Sequence, residues 1–492
     1  MAKKLVLAVI DSLKPELLDR AIDSGRAPAL RALVERGVYI RDCVSSFPSV
    51  TPVASSSIAT GLGPDRHHIP SMNWYHRGEE RYVEYGSSFA ATRTFGIVRS
   101  LYDTVYNMNL AHLSRAERTV YEIVEDAGLR AAATTYLIYR GRHRHEADQE
   151  GPYTRIAKAA QFRHAVWGPT ELFYADLFAS RKTDCRSTLG MPGQRDRHSG
   201  CVAAHMVEND LFDFMLLSLP DNDTHSHRYG PYAQASSIVE ADRAIERMMH
   251  AGGGIEAFLE DHAVIVLSDH SQTSVERRVN LAAELDHRSV LMPDGAPEEA
   301  DIAVCPSARS AMVYVLDPER RDELVPALAG DLCKVEGVDL VATLAGGEAT
   351  VRAARGAELR FQAGGDLADL RGGHWSIDGD LETLTLAVSD GRLWSRTYPD
   401  ALSRLWSALH CPRAGDVLVS ASPSYEFVDW GGADHVGGGS HGALHRGDSL
   451  GVLVMCGTGP GSASERVQWT IRDVVPAVQD HFGIRRSAEP AG

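Results

Sequence analysis

Short apolar runs recur along the chain and alternate with stretches whose apolar residues follow helical spacing. The runs typical of strands lie at 5–10, 131–138, 212–219, 263–267 and 451–456. Near-continuous apolar sequence is what a parallel strand buried on both faces requires. The pattern therefore predicts an α/β fold, a three-layer αβα sandwich around a mostly parallel sheet.

The segment 233–250 predicts one of the helices between these strands. Ile238, Ala241 and Ile245 fall close to a 3.6-residue period, and glycines at 252–254 supply a stop. Helices of this kind would cover the faces of the sheet.

The alternation breaks between about 300 and 400. Strand-like segments at 312–316, 338–342 and 349–353, a helical segment at 322–334 and Gly/Asp-rich connections at 364–381 are found there. This combination predicts a small α+β insert.

These breaks suggest a division into domains. We predict a core formed by 1–299 and 401–492, interrupted by the α+β insert at 300–400. A second, irregular insertion is expected at about 140–210, a block rich in Arg, His and Gly. It could shape a substrate pocket or simply run over the surface.

Composition limits the class of protein. With 492 residues, 44% of them apolar and 24% charged, the chain is globular, and its net charge of −16 argues against a surface for nucleic-acid polymers. No stretch approaches the roughly 18 apolar residues of a membrane span. The seven cysteines are scattered singly and predict neither a disulfide framework nor a metal knuckle. The expected location is the cytoplasm, and the sequence predicts no oligomeric state.

Residues with metal-ligand chemistry follow several of the predicted strands. Asp269 and His270 come directly after the run at 263–267, and Asp11 follows the run at 5–10. A carboxylate beside an imidazole at a strand end suits a divalent metal. An isolated Asp in the place of Asp11 is, however, most often a turn former or a helix cap.

The loop at 219–231 offers two ligand pairs of equal spacing. Asp221 with His225 and Asp223 with His227 both follow the pattern Asp-x-x-x-His. Spacing alone does not choose between them.

A late histidine, His441, lies in the glycine-rich segment 437–442. Glycines on both sides allow a tight backbone path that turns an imidazole inward. His435 and His445 are competitors for the same role.

The candidate nucleophile is Thr51, followed by Pro52 at the start of a predicted helix. A helix N-terminus offers free N–H groups to a phosphate oxygen. The simpler interpretation is a threonine helix cap. Threonine is a poor nucleophile at neutral pH, so a catalytic Thr51 would need a metal.

Together these segments resemble the alkaline phosphatase superfamily, and within it the type I phosphodiesterase/nucleotide pyrophosphatase branch. Five segments carry the resemblance in family order: Val-Ile-Asp-Ser-Leu at 9–13, Phe-Pro-Ser-Val-Thr-Pro at 47–52, Asp223-x-x-x-His227-x-x-Gly-Pro, Ser-Asp-His at 268–270 and Gly-Ser-His-Gly at 439–442. They span nearly the whole chain.

The resemblance implies a site with two divalent metals, expected to be zinc, with manganese as the alternative. One ion would be held by Asp223, His227 and His441; the other would be held by Asp11, Asp269, His270 and the Thr51 oxygen. The family pattern, in which Gly-Pro follows the motif, is what selects Asp223 and His227 over the other register. The implied reaction is attack by Thr51 on phosphorus, a phosphothreonine intermediate and its hydrolysis by water.

The resemblance also implies an asparagine that stabilises the phosphoryl oxygen, which is Asn73 here. His68 departs from the family pattern, because a glycine is usual at its position. A turn asparagine is the simpler interpretation of Asn73.

The expected function is hydrolysis of a small-molecule phosphodiester or pyrophosphate. The sulfatase pattern x-Pro-x-Arg is absent after Thr51, since Pro52, Val53, Ala54 and Ser55 follow it. Phosphomonoesterase or phosphonate hydrolase activity is the alternative within the superfamily. A non-catalytic metal-binding scaffold is the alternative of another class.

Overall fold

The computed structural model of the protein describes residues 2–147, 164–174, 177–187, 191–354, 356–459 and 466–486. The strands are β1 Lys4–Ile10, β2 Val38–Val44, β3 Asn73–His76, β4 Arg81–Glu84, β5 Ala131–Thr134, β6 His143–His145, β7 Val166–Gly168, β8 Glu171–Tyr174, β9 Phe178–Ala179, β10 Phe214–Leu219, β11 His262–Leu267, β12 Thr273–Val279, β13 Ile302–Ser307, β14 Ser310–Val315, β15 Val338–Ala345, β16 Glu348–Ala353, β17 Glu358–Asp369, β18 His374–Gly379, β19 Leu386–Ser389, β20 Arg392–Ser395, β21 Val417–Ala421, β22 Ser424–Phe427, β23 Gly439–Ser440 and β24 Leu450–Cys456.

The α-helices are α1 Pro15–Asp23, α2 Pro28–Arg36, α3 Thr51–Thr60, α4 Pro64–His67, α5 Phe89–Phe95, α6 Ile97–Tyr102, α7 Val120–Asp126, α8 Arg195–Glu208, α9 Asp221–Tyr229, α10 Ala235–Ala251, α11 Ile255–Asp261, α12 Leu281–Glu284, α13 Arg321–Leu332, α14 Ala401–Leu409, α15 Arg446–Ser449 and α16 Val474–Phe482. A π-helix covers Asp103–His112.

The central sheet confirms the predicted mostly parallel arrangement. Its order is β2-β24-β11-β1-β10-β5-β8-β9. The five central strands, β11, β1, β10, β5 and β8, are parallel to one another. The outer strands β24, β2 and β9 join the sheet in antiparallel pairs. Every residue of β10 and β11 is buried, which explains why these segments read as uninterrupted apolar runs.

Two hydrophobic cores lie on the two faces of this sheet. In β1, Val6 and Ala8 belong to the core that includes α1, α2, α8, α10 and α11. Leu5 and Leu7 belong to the other core, which includes α3, α7 and α16. Because successive strand residues point to opposite faces, this partition confirms the three-layer sandwich.

The strand register brings the ends of β1, β10 and β11 to one edge. Ile10 pairs with Leu219, and Val9 pairs with Leu267. The residues that directly follow these strands therefore meet at the carboxyl edge of the sheet, where open α/β sheets bind ligands.

A second sheet is formed by β13-β14-β21-β15-β16-β17-β20-β19, with β18 paired to β17. The predicted strands at 312–316, 338–342 and 349–353 correspond to β14, β15 and β16. The prediction of a connection over 364–381 is wrong in part, because β17 and β18 form a long antiparallel pair there. A register shift between Ala363 and Leu367 absorbs the glycines that suggested a loop.

The division into 1–299, 300–400 and 401–492 stays a prediction. The second sheet includes β21, which lies beyond residue 400. Of the irregular block at 140–210, residues 148–163, 175–176 and 188–190 lie outside the described residues.

A disulfide joins Cys185 to Cys201 on α8. The prediction that the scattered cysteines form no disulfide is wrong. The two residues are 16 positions apart in no recognisable motif, and the fold brings their Cα atoms to 5.7 Å. Disulfides are typical of oxidising compartments, so the cytoplasmic location stays a prediction. No helix in the described ranges is long and apolar enough to cross a membrane.

A buried ion pair connects the second sheet to the central one. Arg309, in the turn between β13 and β14, donates from Nε to Asp448 Oδ2 at 2.8 Å, and both side chains are fully buried. Arg309 N also donates to the carbonyl of His441 at 2.8 Å. The pair therefore fixes the segment around His441.

Replacing this guanidinium tests the connection. We expect Arg309→Met to lower the free energy of unfolding by about 3 to 5 kcal/mol, because Asp448 keeps its burial and loses its partner. Urea unfolding measures the change. Arg360→Met, which removes an exposed pair with Glu358, is the control and should leave the free energy of unfolding close to that of wild type. Equal effects of the two substitutions would contradict this assignment.

Candidate active site

A cleft of about 440 Å³ opens at the carboxyl edge of the central sheet. Asp11, Thr51, Asp223, Asp269 and His441 are among the residues that line it. The sequence-predicted ligands are dispersed over more than 400 positions. They converge because most of them follow strands or open helices at this edge, and His227 lies one turn after Asp223 on α9.

The first group of side chains surrounds His270. Its Nε2 atom lies 3.6 Å from Asp11 Oδ1 and 3.5 Å from Asp269 Oδ2. The Thr51 hydroxyl oxygen lies 3.2 Å from the same nitrogen. Two carboxylates, an imidazole and a hydroxyl therefore share one point in the cleft.

The second group surrounds Asp223. His227 Nε2 lies 3.4 Å from Asp223 Oδ2, and His441 Nε2 lies 3.7 Å from Asp223 Oδ1. The rings of His270 and His441 stack with centroids 3.9 Å apart. The two groups are therefore immediate neighbours.

His270 lies between the groups. Donor atoms of Asp11, Asp269 and His270 lie within 4.8 Å of one another, and so do donor atoms of Asp223, His270 and His441. Distance alone therefore leaves His270 common to both groups. The assignment of His270 to the Asp11 group rests on the family pattern.

The three histidines are oriented by the backbone. His227 Nδ1 lies 2.8 Å from the carbonyl of Gly439, His441 Nδ1 lies 2.8 Å from that of Ser49, and His270 Nδ1 lies 3.2 Å from that of its neighbour Ser271. A hydrogen on Nδ1 leaves the Nε2 lone pair directed at the carboxylates. Metal-binding histidines are fixed in this manner.

The electrostatics of the site favour bound cations. Burial, together with the neighbouring charges of Asp269 and Asp223, raises the pKa of Asp11 well above its usual range. Burial and Asp223 raise the pKa of Asp269 to about 6. Three carboxylates so close together repel one another, and divalent ions would remove that repulsion.

The imidazoles have the opposite property. Burial lowers the pKa of His227, His270 and His441 to about 4 in each case. For Asp223, burial acts to raise the pKa, but His227, His441 and His270 outweigh it and the pKa is lowered. Neutral imidazoles and ionised carboxylates are the forms that bind metals, so the donor set fits divalent ions.

The competing register has a structural role. Asp221 Oδ1 accepts from Arg195 Nε at 2.8 Å, and its Oδ2 accepts from the N–H of Asp196 at 3.1 Å. His225 Nε2 lies 3.0 Å from the carbonyl of Ala233. Asp221 therefore connects the starts of α8 and α9, while Asp223 and His227 are directed into the cleft.

The competing late histidines are also engaged elsewhere. His435 lines the cleft and stacks on His227, but its Nδ1 lies 2.7 Å from Glu426 Oε1. His445 accepts a hydrogen bond from Gly447 N at the start of α15. Of the three candidates, His441 is the one whose Nε2 faces Asp223.

Thr51 is the first residue of α3 and Pro52 the second. The helix thus begins one residue earlier than the sequence predicted, and Val50 is its N-cap. The N–H groups of Val53 and Ala54 both bond to the carbonyl of Val50. Pro52 has no N–H, and within the described part of the chain no hydrogen-bond partner takes the Thr51 N–H, so this amide can serve a ligand at the helix end.

Asn73 is not brought into this arrangement. Its side chain is buried, and its Nδ2 donates to the Val83 carbonyl at 3.1 Å and to Glu84 Oε2 at 3.0 Å. Both amide hydrogens are thereby used between β3 and β4. The oxyanion role of Asn73 stays a prediction that this geometry does not support.

Two further polar residues, Ser12 and Gln272, support the site. Ser12 Oγ donates to Asp223 Oδ1 at 2.7 Å and lies 3.1 Å from His270 Nδ1. Gln272 Nε2 also donates to Asp223 Oδ1. Their only signal in the sequence is adjacency, since Ser12 follows Asp11 and Gln272 ends the segment Ser-Asp-His-Ser-Gln.

A family model described as type I phosphodiesterase/nucleotide pyrophosphatase matches residues 5–444. A comparison with curated proteins finds no match. The fold is similar to that of an inactive form of murine ectonucleotide pyrophosphatase/phosphodiesterase 5 in complex with AMP, with a TM-score of 0.57 and 12% identity over 100% of this chain and 97% of that chain.

A second similar structure is phosphonoacetate hydrolase from Sinorhizobium meliloti in complex with phosphonoformate. The TM-score is 0.56 and the identity 18%, over 98% of this chain and 96% of that chain. At these identities both likenesses support the fold.

The two Asp-x-x-x-His registers provide a matched test of the metal ligands. We expect His227→Gln to lower the bound metal from about two ions per chain to about one, because an imidazole directed at Asp223 is lost. His225→Gln should leave the metal content unchanged. Elemental analysis after dialysis against buffered zinc measures both. Equal metal content in the two variants would exclude His227 as a ligand.

Proposed function

The chain belongs to the type I phosphodiesterase/nucleotide pyrophosphatase family, whose model matches it from residue 5 to residue 444, and we propose that it hydrolyses a phosphodiester or pyrophosphate bond with Thr51 as the nucleophile. The reaction would proceed at a centre for two divalent metal ions. Membership of this family makes the protein a hydrolase. The proposal concerns the bond that is cleaved, the covalent intermediate and the metal ions.

The observation that carries the proposal is the position of the Thr51 hydroxyl. It lies 3.2 Å from His270 Nε2, and this nitrogen is also within 3.6 Å of the Asp11 and Asp269 carboxylates. The simpler interpretation of Thr51 as a helix cap does not apply, because the N-cap of α3 is Val50. The interpretation of the chain as a non-catalytic scaffold is correspondingly disfavoured.

Asp11, Asp269, His270 and Thr51 would hold one ion, and Asp223, His227 and His441 the other. When bound, two such ions supply Lewis-acid stabilisation of the attacking and leaving oxygens and lower the pKa of the threonine hydroxyl. Zinc suits the mixture of imidazole and carboxylate donors, and manganese is the alternative.

The N-terminal end of α3, where Thr51 lies, would favour attack on a phosphate ester. The positive end of the helix dipole and the available Thr51 N–H would stabilise the negative charge on the phosphoryl oxygens. Attack forms a phosphothreonine and releases the leaving group. Water then attacks phosphorus, releases the phosphate product and regenerates the hydroxyl.

The substrate is proposed to be a small molecule. The net charge of −16 disfavours a nucleic-acid polymer, and the cleft of about 440 Å³ is of the size that holds one small ligand. Hydrolysis of a phosphomonoester or a phosphonate is the second candidate. It is supported by Arg195, which lines the cleft and could bind an additional anionic group.

Removal of the hydroxyl tests the nucleophile. We expect Thr51→Ala to lower turnover of bis-p-nitrophenyl phosphate by at least about a thousandfold, because the covalent route needs this oxygen. A chelator should abolish wild-type turnover, and zinc or manganese should restore it. Release of p-nitrophenol measures the rates.

Thr60→Ala is the control, since Thr60 ends the same helix and bonds back to the Ser56 carbonyl. It should retain wild-type turnover. Acid-quenched wild type should carry a p-nitrophenyl phosphate adduct on the peptide that contains Thr51. Normal turnover by Thr51→Ala, or an adduct on another residue, would exclude Thr51 as nucleophile. A metal-loaded wild type without activity on diesters, pyrophosphates, monoesters and phosphonates would refute the proposed function.

A further inference from the structure

The helices α5 and α6 expose four large apolar side chains. Phe89 is 76% exposed, Val98 is 51% exposed, and Ile97 and Leu101 are each 42% exposed. All four lie within thirteen consecutive residues, and Leu101 lies about one helical turn after Ile97 and Val98, so these three share a face of α6. Single exposed apolar residues are common on proteins, whereas a cluster marks a surface that binds a partner.

The same stretch carries positive charge and no negative charge. Residues 86–102 include two arginines and no Asp or Glu, although the whole chain has 66 acidic residues against 50 Lys and Arg. Arg93 and Arg99 are exposed, and within the described ranges no carboxylate pairs with either. The acidic residue that follows the stretch, Asp103, is buried and pairs with Arg81. The exposed charge of the two helices is therefore positive.

Contacts on the other side of α5 hold it in place. Ala91 is fully buried, and the backbone of Gly431 lies so close to Ala90 and Ala91 that a Cβ on this glycine would overlap them. The hydroxyl of Ser88, the N-cap of α5, accepts from Ala91 N and donates to Asp429. Because this surface is fixed before binding, little conformational entropy is lost when a partner docks.

An anionic lipid surface suits this combination better than a second copy of the chain does. In a two-fold dimer the same patch meets itself, so the arginines of the two copies would be brought together with no acidic residue of the stretch to separate them. At a membrane, apolar side chains enter the boundary between headgroups and acyl chains, while arginines bind lipid phosphates. Because the chain as a whole has a net charge of −16, an anionic membrane attracts it only through a basic face such as this one.

We propose that α5 and α6 dock the protein on an anionic lipid surface, with Phe89, Ile97, Val98 and Leu101 inserted among the headgroups and with Arg93 and Arg99 paired with lipid phosphates. Ser87, two residues before Phe89, lines the cleft, so docking brings the rim of the cleft to the lipid surface. Docking requires no turnover and goes beyond the proposed function. Its failure would leave that function untouched.

Vesicle flotation of the metal-loaded full-length protein tests the docking. One set of vesicles is phosphatidylcholine alone, and the other contains about one third phosphatidylglycerol, which supplies the negative charge. We expect wild type to float with the anionic vesicles at least about tenfold more than with the neutral ones. Raising the salt concentration should weaken the binding, because the headgroup attraction is screened.

Two double variants separate the apolar and the charged contributions. Phe89→Ser/Val98→Ser should lower the partition onto anionic vesicles at least about tenfold, because the inserted apolar area is lost. Arg93→Gln/Arg99→Gln should lower it by about tenfold or more, at roughly fivefold for each arginine. Thermal unfolding should be close to that of wild type in both variants, since all four side chains are exposed.

Val388→Ser/Arg392→Gln is the matched control. It removes one exposed apolar residue and one exposed arginine from the hairpin of β19 and β20, and it should float as wild type does. No flotation of wild type, equal flotation with neutral and anionic vesicles, or equal loss in the control would overturn the proposal. Light scattering provides the remaining outcome: a dimer that Phe89→Ser/Val98→Ser dissociates would identify a second copy as the occupant, and it would overturn lipid docking.

Discussion

Repulsion among three clustered carboxylates, the buried Asp11 and Asp269 and the half-buried Asp223, is the constraint on which the site depends. Donor oxygens of Asp11 and Asp269 lie within 4.8 Å of each other, where two like charges repel by roughly 3 to 4 kcal/mol at an effective dielectric constant of about 20. Asp223 adds a third charge. Burial and this repulsion raise the pKa values of Asp11 and Asp269. Two divalent ions would exceed the carboxylate charge and leave a net positive centre, which suits a phosphate ester.

The fold imposes this crowding and also supports it. The parallel strands β1, β10 and β11 end at one edge of the sheet. The residues that follow them therefore lie close together. The surrounding polar contacts then fix each donor: backbone carbonyls orient the imidazoles, and Ser12 bridges Asp223 and His270. The buried pair of Arg309 and Asp448 holds the His441 segment from the second sheet. The catalytic edge thus depends on contacts from both sheets.

Two features of the sequence led to correct predictions: the positions of the strand ends and the order of the family motifs. Apolar runs located the central strands, and the residues after them include the donors that meet in the cleft. Where two registers had equal spacing, only the family pattern preferred Asp223 and His227; the contacts of Asp221 with Arg195 and Asp196 show what the other register does instead. Contacts between distant segments could not be predicted, among them the disulfide of Cys185 and Cys201 and the position of Arg195. The glycines near residue 365 suggested a loop, but they lie at an irregularity in the paired strands β17 and β18. Loops and irregular strand pairs can have the same glycine-rich composition.

The two-metal centre is tested most directly by anomalous X-ray diffraction from crystals of the zinc-loaded protein. We expect two zinc peaks roughly 4 Å apart. One should contact Asp11, Asp269, His270 and the Thr51 oxygen; the other should contact Asp223, His227 and His441. A single peak held by Asp223, His270 and His441, with His227 free, would contradict it.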